Sequence, residues 1–156
     1  MTGIVRIERL EIGDGGLVAT LVADLPQWFA RPEANAAYVA AAATMTNYVA
    51  VTPDGARVGV ALVARPFPTS ADVHLLAIAR SWHRRGVGTA MLTAVEADLR
   101  AEGVRILTVK TLGPSDPDEN YRHTRLFYQA RGFVPVEELT GLWGDTPCLL
   151  MAKPLN

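Results

Sequence analysis

Hydrophobic positions along the chain switch between periods of two and of three to four, and the switches predict the elements. Residues 4–10 alternate Val5 and Ile7 with Arg6 and Glu8, a strand pattern that Asp14-Gly15-Gly16 breaks. Residues 17–25 predict a short helix, Pro26-Gln27-Trp28-Phe29 a loop, and the alanine-rich run 33–45 a helix with Pro32 close to its first turn. Residues 48–52 and 57–65 read as two strands of a hairpin around Pro53-Asp54-Gly55-Ala56, and Pro66-Phe67-Pro68-Thr69 as a second break. A strand over 72–79 leads through a basic glycine loop into a helix over 87–99, whose Met91, Leu92, Val95 and Leu99 share one face. Gly103 ends that helix. Then come a strand over 104–110, a Pro/Asp/Ser-rich loop over 113–120 and a helix over 121–131 that stops at Gly132, a left-handed cap. Strands over 133–138 and 148–152, joined by a turn region over 141–147, close the chain.

This order predicts an α/β domain with one largely antiparallel sheet flanked by helices. Within it, the strand–helix–strand unit over 72–110 should be parallel and right-handed. With 156 residues, 49% of them apolar, the sequence fits one compact domain over 1–156. The formal net charge of −1 gives none of the basic excess expected of a nucleic-acid binder. The N-terminus lacks a signal-peptide core, and no run approaches the ~20 apolar residues that span a bilayer, so a soluble cytoplasmic protein is expected, with no membrane partner. The single cysteine, Cys148, excludes an internal disulfide and reads as a buried structural thiol. The three histidines show no metal-ligand spacing with carboxylates, so no metal is expected.

The richest chemistry lies in His83-Arg84-Arg85-Gly86-Val87-Gly88-Thr89, which follows a strand and opens a helix. Amides at a helix N-terminus have no intrahelical acceptor and can point at an anion. Glycines let the chain approach that anion, and arginines add charge and forked donors. A phosphorylated ligand fits. Two nucleotide motifs do not: Met91 occupies the third glycine position of a dinucleotide-binding loop, and no Gly-Lys-Ser/Thr follows.

The loop and the segment Tyr121-Arg122-His123-Thr124-Arg125-Leu126-Phe127-Tyr128-Gln129-Ala130-Arg131-Gly132-Phe133 together resemble the GNAT superfamily of acyl-CoA-dependent N-acyltransferases. The family's loop signature is Gln or Arg, two variable residues, Gly, one variable residue, then Gly or Ala. Gly86 and Gly88 match it, and His83 stands where Gln or Arg is usual. The late helix matches in ending Tyr, three residues, Gly-Phe, and a closing strand pair follows. The likeness covers roughly residues 47–153. It implies a mixed, mostly antiparallel sheet of six to seven strands, about four helices and a central strand splay. It implies acetyl-CoA as acyl donor, its pantetheine arm paired with the backbone of Leu76, Ala77 and Ile78. Amides from Arg84 through Thr89, with Arg85 and Val87 among them, would cradle its pyrophosphate. Tyr128 would be the general acid beside the sulfur. The acceptor would be a small-molecule or peptide amine, and homodimers are common in the family.

Several residues keep two readings. Tyr121, Thr124 and Tyr128 form a row of hydroxyls opposite Leu126, Phe127 and Ala130, which suits a cofactor-facing line; the other reading of Tyr128 is a ring packed at a helix edge. His123, on the apolar side, reads as a satisfied core histidine. Asp72 and His74 share a strand face with Leu76 and Ile78, and either could take a proton from the amine; both could also be plain strand residues. His83 is a phosphate contact or a solvated loop residue. Trp28 and Phe29 wall an acceptor pocket or pack on the sheet, and Trp143 is equally open. Asp116, Asp118 and Glu119 read best as charges complementing a helix dipole. No activated Ser or Cys is visible, so direct attack in a ternary complex is expected. The rivals are a catalytically silent acetyl-CoA-binding module of the same fold and a nucleotide-binding α/β protein.

Overall fold

The computed structural model describes residues 4–156. Among them are strands β1 (Arg6–Leu10), β2 (Thr46–Val51), β3 (Arg57–Phe67), β4 (Ser70–Ile78), β5 (Ile106–Leu112), β6 (Val134–Gly141) and β7 (Gly144–Pro154). The helices are α1 (Gly15–Ala23), α2 (Pro32–Ala41), α3 (Val87–Ala101) and α4 (Glu119–Ala130), with a short 3₁₀ turn over Arg80–Trp82. The strands form one seven-stranded sheet in the order β1-β2-β3-β4-β5-β7-β6. β1–β2, β2–β3, β5–β7 and β6–β7 pair antiparallel, and β4–β5 pairs parallel. This is the mixed α/β architecture expected of the sequence. Among the described residues, no helix is long and apolar enough to cross a membrane.

The chain divides into two compact units. One holds the part up to Ala64 together with His74–Asp98; the other holds Arg65–Val73 together with Leu99–Asn156. In the first, Leu17, Val18, Leu21, Val22 and Leu25 of α1 and its C-terminal flank bury against Val49, Val51, Val60, Leu62, Leu75 and Ala77. Asp14 caps α1, accepting the Gly16 N–H at 2.8 Å. A Cβ on Gly59 would come within 2.9 Å of the Met91 sulfur, so glycine lets α3 lie close on β3. Met91, Leu92, Val95 and Leu99 are all buried, as their spacing predicts. In the second unit, β5 pairs with β7 from Ile106↔Pro154 to Leu112↔Cys148, and Leu107, Val109, Leu149 and Met151 are buried.

Several boundaries differ from the sequence reading, three of them with a visible cause or consequence. The second helix stops at Ala41 rather than reaching Met45, because the buried Asn47 side chain takes the Ala42 and Met45 carbonyls at 3.0 and 2.9 Å. β3 runs through Pro66 to Phe67; β2 pairs only as far as Val63, so the missing proline N–H leaves no ladder bond to β2 unmade. β7 starts at Gly144, which shortens the last turn: Gly141 pairs with Gly144, both at positive φ.

Candidate active site

The β4–β5 pairing covers four residue pairs, Ser70↔Ile106 to Val73↔Val109. β4 continues as strand through His74–Ile78 beyond the last of them, with Leu75 and Ala77 buried and Leu76 and Ile78 half-buried. The main chain of this extension is where a ligand's extended arm could pair.

Beyond it the backbone turns sharply. Arg84 has φ 62° and Gly86 φ 80°, and a Cβ at Gly86 would meet nothing within 4 Å. Gly86 thus faces open space and holds a left-handed conformation that a side chain would strain. α3 starts at the next residue. Ala90 N–H closes on Gly86 O at 3.0 Å, the first bond of the helix, so the amides of Val87 and Gly88 lie in its first turn, ahead of that bond. Arg84, Arg85 and Gly86 are exposed, and the Arg85 guanidinium lies 4.8 Å above the Trp82 ring. A helix N-terminus and two exposed arginines thus sit at one turn, a combination that suits an anion.

His83 is half-buried, its Nε2 lies 2.8 Å from Ile78 O, and its ring meets Trp28 edge-to-face at 5.6 Å. A carbonyl only accepts, so Nε2 carries the proton and donates it. The Ile78 carbonyl, expected to be free for a pantetheine arm, is occupied by this bond. The following amides are also engaged: Ala79 N–H donates to Val58 O at 2.8 Å and Arg80 N–H to Asp24 Oδ2 at 2.7 Å.

The two base candidates are held differently. Asp72 is mostly buried; Thr108 Oγ1 donates to its Oδ1 at 2.6 Å, and Lys110 Nζ lies 3.6 Å away. His74 is exposed, with Tyr38 edge-on at 5.4 Å. Phe29 meets Tyr38 in turn at 5.9 Å, and burial pushes the Tyr38 phenol up. Trp28 and Phe29 both pack against the core cluster of their unit, yet stay half-buried.

In the second unit, α4 begins with Asp118, which accepts the Asn120 and Tyr121 amides at 2.8 and 3.1 Å. Asp116 accepts Asp118 N–H, so this acidic loop is a helix start, as its preferred reading held. The end of α4 is a Schellman motif. Gly132 N–H donates to Gln129 O and Phe133 N–H to Tyr128 O, both at 3.0 Å, with Gly132 at φ 98°. The motif's hydrophobic contact is Tyr128 on Phe133, ring centroids 5.4 Å apart. Tyr-x-x-x-Gly-Phe is thus a helix stop as well as a site signature. The expected sides of α4 are reversed. Leu126 and Ala130 are exposed, whereas Tyr128 is buried and Tyr121 and Thr124 are half-buried. His123 is exposed, 3.7 Å from Glu119, and not in the core. The helix turns its hydroxyl row inward because its aromatic rings, not its aliphatic residues, make the packed face.

A family model for the acetyltransferase (GNAT) domain matches residues 36–135. The chain belongs to the GNAT acetyltransferase family. Among solved structures, it is 21% identical to a GNAT-family acetyltransferase from Desulfovibrio desulfuricans, with TM-score 0.81 over 97% of this chain and 99% of that one. A GNAT acetyltransferase from Elizabethkingia anophelis with acetyl-CoA bound is 14% identical, TM-score 0.74, over 97% and 99%. An aminoglycoside 6′-N-acetyltransferase complexed with coenzyme A is 21% identical, TM-score 0.72, over 97% of each chain. Curated protein sequences yield no match.

Sequence reasoning missed four residues around this GNAT loop and strand: Asp24, Tyr38, Thr108 and Lys110. Thr108 and Lys110 alternate on β5, and a parallel register opposite Asp72 would have exposed them. Nothing local marks Asp24 or Tyr38, whose partners lie 56 and 36 residues on.

Proposed function

We propose that this chain transfers the acetyl group of acetyl-CoA to a primary amine by direct attack in a ternary complex. The observation that carries the reading is the open, positive-φ turn at Gly86 leading into the N-terminal turn of α3, in a chain whose family is GNAT acetyltransferase. The amides of that turn, with Arg84 and Arg85, hold the pyrophosphate. Leu76 and Ala77, with the Ile78 N–H, pair with the pantetheine arm, and the backbone near Ile78 polarises the thioester carbonyl. The amine nitrogen attacks the carbonyl carbon, the C–S bond breaks, and the Tyr128 hydroxyl gives its proton to the leaving thiolate.

The base is His74 or Asp72, directly or through water. Local geometry favours His74: its imidazole is exposed, whereas the Asp72 carboxylate is already engaged by Thr108 and Lys110. Trp28 and Phe29, with Tyr38, line the acceptor side, and Tyr121 and Thr124 contact the cofactor. The acetyl-CoA and coenzyme A complexes of the similar structures support the donor, and the aminoglycoside enzyme among them supports an amine acceptor.

The test is release of free coenzyme A thiol from acetyl-CoA across aminoglycosides, polyamines, amino acids, arylalkylamines and peptide N-termini. Amine-dependent release supports the reading. Tight acetyl-CoA binding with no release from any amine replaces it with a silent binding module. Thermal protection by ATP or NAD and none by coenzyme A points instead to a nucleotide-binding protein.

A further inference from the structure

Three successive residues at the exit of β4 are tied down by three different segments. Ile78 O accepts from His83 Nε2 at 2.8 Å, Ala79 N–H donates to Val58 O of β3 at 2.8 Å, and Arg80 N–H donates to Asp24 Oδ2 at 2.7 Å. Two of these ties lead to one place. Asp24 is the C-cap of α1, and the His83 ring rests edge-to-face on Trp28, four residues further along the same connection. That connection is itself closed: Trp28 and Phe29 N–H both donate to the carbonyl of Leu25, which is buried. The α1–α2 connection therefore grips the strand exit on both sides of Ala79.

We propose that His83 and Asp24 are positioning residues that hold the Ile78–Arg80 exit of β4 to the α1–α2 connection. The state of that connection thereby sets how the strand presents the acyl donor. The inference rests on the acyl-transfer reading above for its kinetic consequence, and on hydrogen bonds alone for its structural one. The Ile78–Ala79 peptide is fixed at both its oxygen and its N–H. Its orientation thus passes directly to the backbone immediately before it, Leu76–Ile78. A misplacement of about 1 Å at such a point costs on the order of 100-fold in rate. Any acceptor that presses on Trp28 shifts the His83 ring, and with it the peptide. By reciprocity, filling β4 with acyl donor shifts the Trp28 connection by the same coupling free energy. The imidazole serves both contacts at once, donating to Ile78 O and meeting Trp28 edge-to-face.

The experiment compares wild type, His83→Ala, His83→Gln and Asp24→Ala by steady-state kinetics, acetyl-CoA calorimetry and amide hydrogen exchange at Ala79 and Arg80. His83→Ala should lower kcat by about tenfold or more while the acetyl-CoA Kd moves by less than about threefold. His83→Gln keeps an N–H donor for Ile78 O and should recover most of that loss, which also guards against a variant that merely unfolds. Asp24→Ala should speed Arg80 exchange by about tenfold. Wild-type kcat in His83→Ala, or a His83→Gln as slow as His83→Ala, overturns the proposal. If the wild type releases no thiol with any amine, the acyl-transfer reading fails on its own. Exchange then still decides: faster exchange at Ala79 and Arg80 in His83→Ala upholds the tie, and unchanged exchange refutes it.

Discussion

At the scale of single residues, the partners of a side chain decide its chemistry more than its type does. Tyr128 is the clearest case, since its ring meets Phe133 edge-on while its hydroxyl is the group proposed to protonate the thiolate. Tyr128→Phe keeps the ring and removes only the hydroxyl. It should lower kcat by about 100-fold or more with acetyl-CoA Kd and melting temperature little changed, measured by thiol release and calorimetry; a kcat equal to wild type would remove Tyr128 from the mechanism. Cys148 shows the opposite, an inert group. It is fully buried, and burial pushes its thiol up, with the Lys110 charge opposing and the Asp72 charge adding. A raised thiol pKa means less thiolate at pH 8, so native protein should react with a maleimide far more slowly than urea-unfolded protein; equal rates would contradict the burial. The sequence made Cys148 legible because its apolar neighbours in β7 reported its environment. The partners of His83 and Asp72 (Ile78, Trp28, Thr108 and Lys110) were not legible, because the turn after β4 and the β4–β5 register set them rather than neighbouring residues.

At the scale of elements, caps and turns were the most legible features, because their chemistry is local. Asp118 and Gly132 bracket α4 as their residue types dictate. Asp118→Ala should cost about 1 kcal/mol of stability through two lost amide bonds. Gly132→Ala should cost about 1 kcal/mol through its positive φ, since the nearest atom to an added Cβ is the flexible Lys153 side chain at 3.2 Å. Urea unfolding checks both, and an unchanged midpoint in either variant would contradict the cap assignment. Helix faces were less legible. The spacing on α4 puts the row of hydroxyls opposite an aliphatic core stripe, yet Tyr128 is among the buried residues and Leu126 is not. A face where Tyr and Phe outweigh Leu in area buries the aromatics, whatever their polar tips. The early end of α2 was hidden for a similar reason, since Asn47 stops it from outside the helix.

At the scale of the molecule, order and composition sufficed for the architecture. A parallel β4–β5 pair among antiparallel strands follows from the helix connecting β4 to β5, and the seven strands and four α-helices among the described residues agree with the six to seven strands and about four helices expected. The point where β4–β5 pairing ends, after Val73↔Val109, could be expected only from the family likeness, because nothing in either strand's residues marks it. The central claim is that the turn around Gly86 holds the diphosphate of acetyl-CoA. Gly86→Asp would place a negative charge in that open space and strain a φ of 80°, so acetyl-CoA affinity should fall about tenfold or more, well beyond the loss in Gly86→Ala. The most direct measurement is a titration of the isotope-labelled protein with acetyl-CoA, following backbone amide resonances. The account predicts that the largest shifts fall on Arg84 through Thr89, with Leu76 and Ala77 moving alongside them. Saturable binding that leaves those amides unmoved while others shift would contradict it.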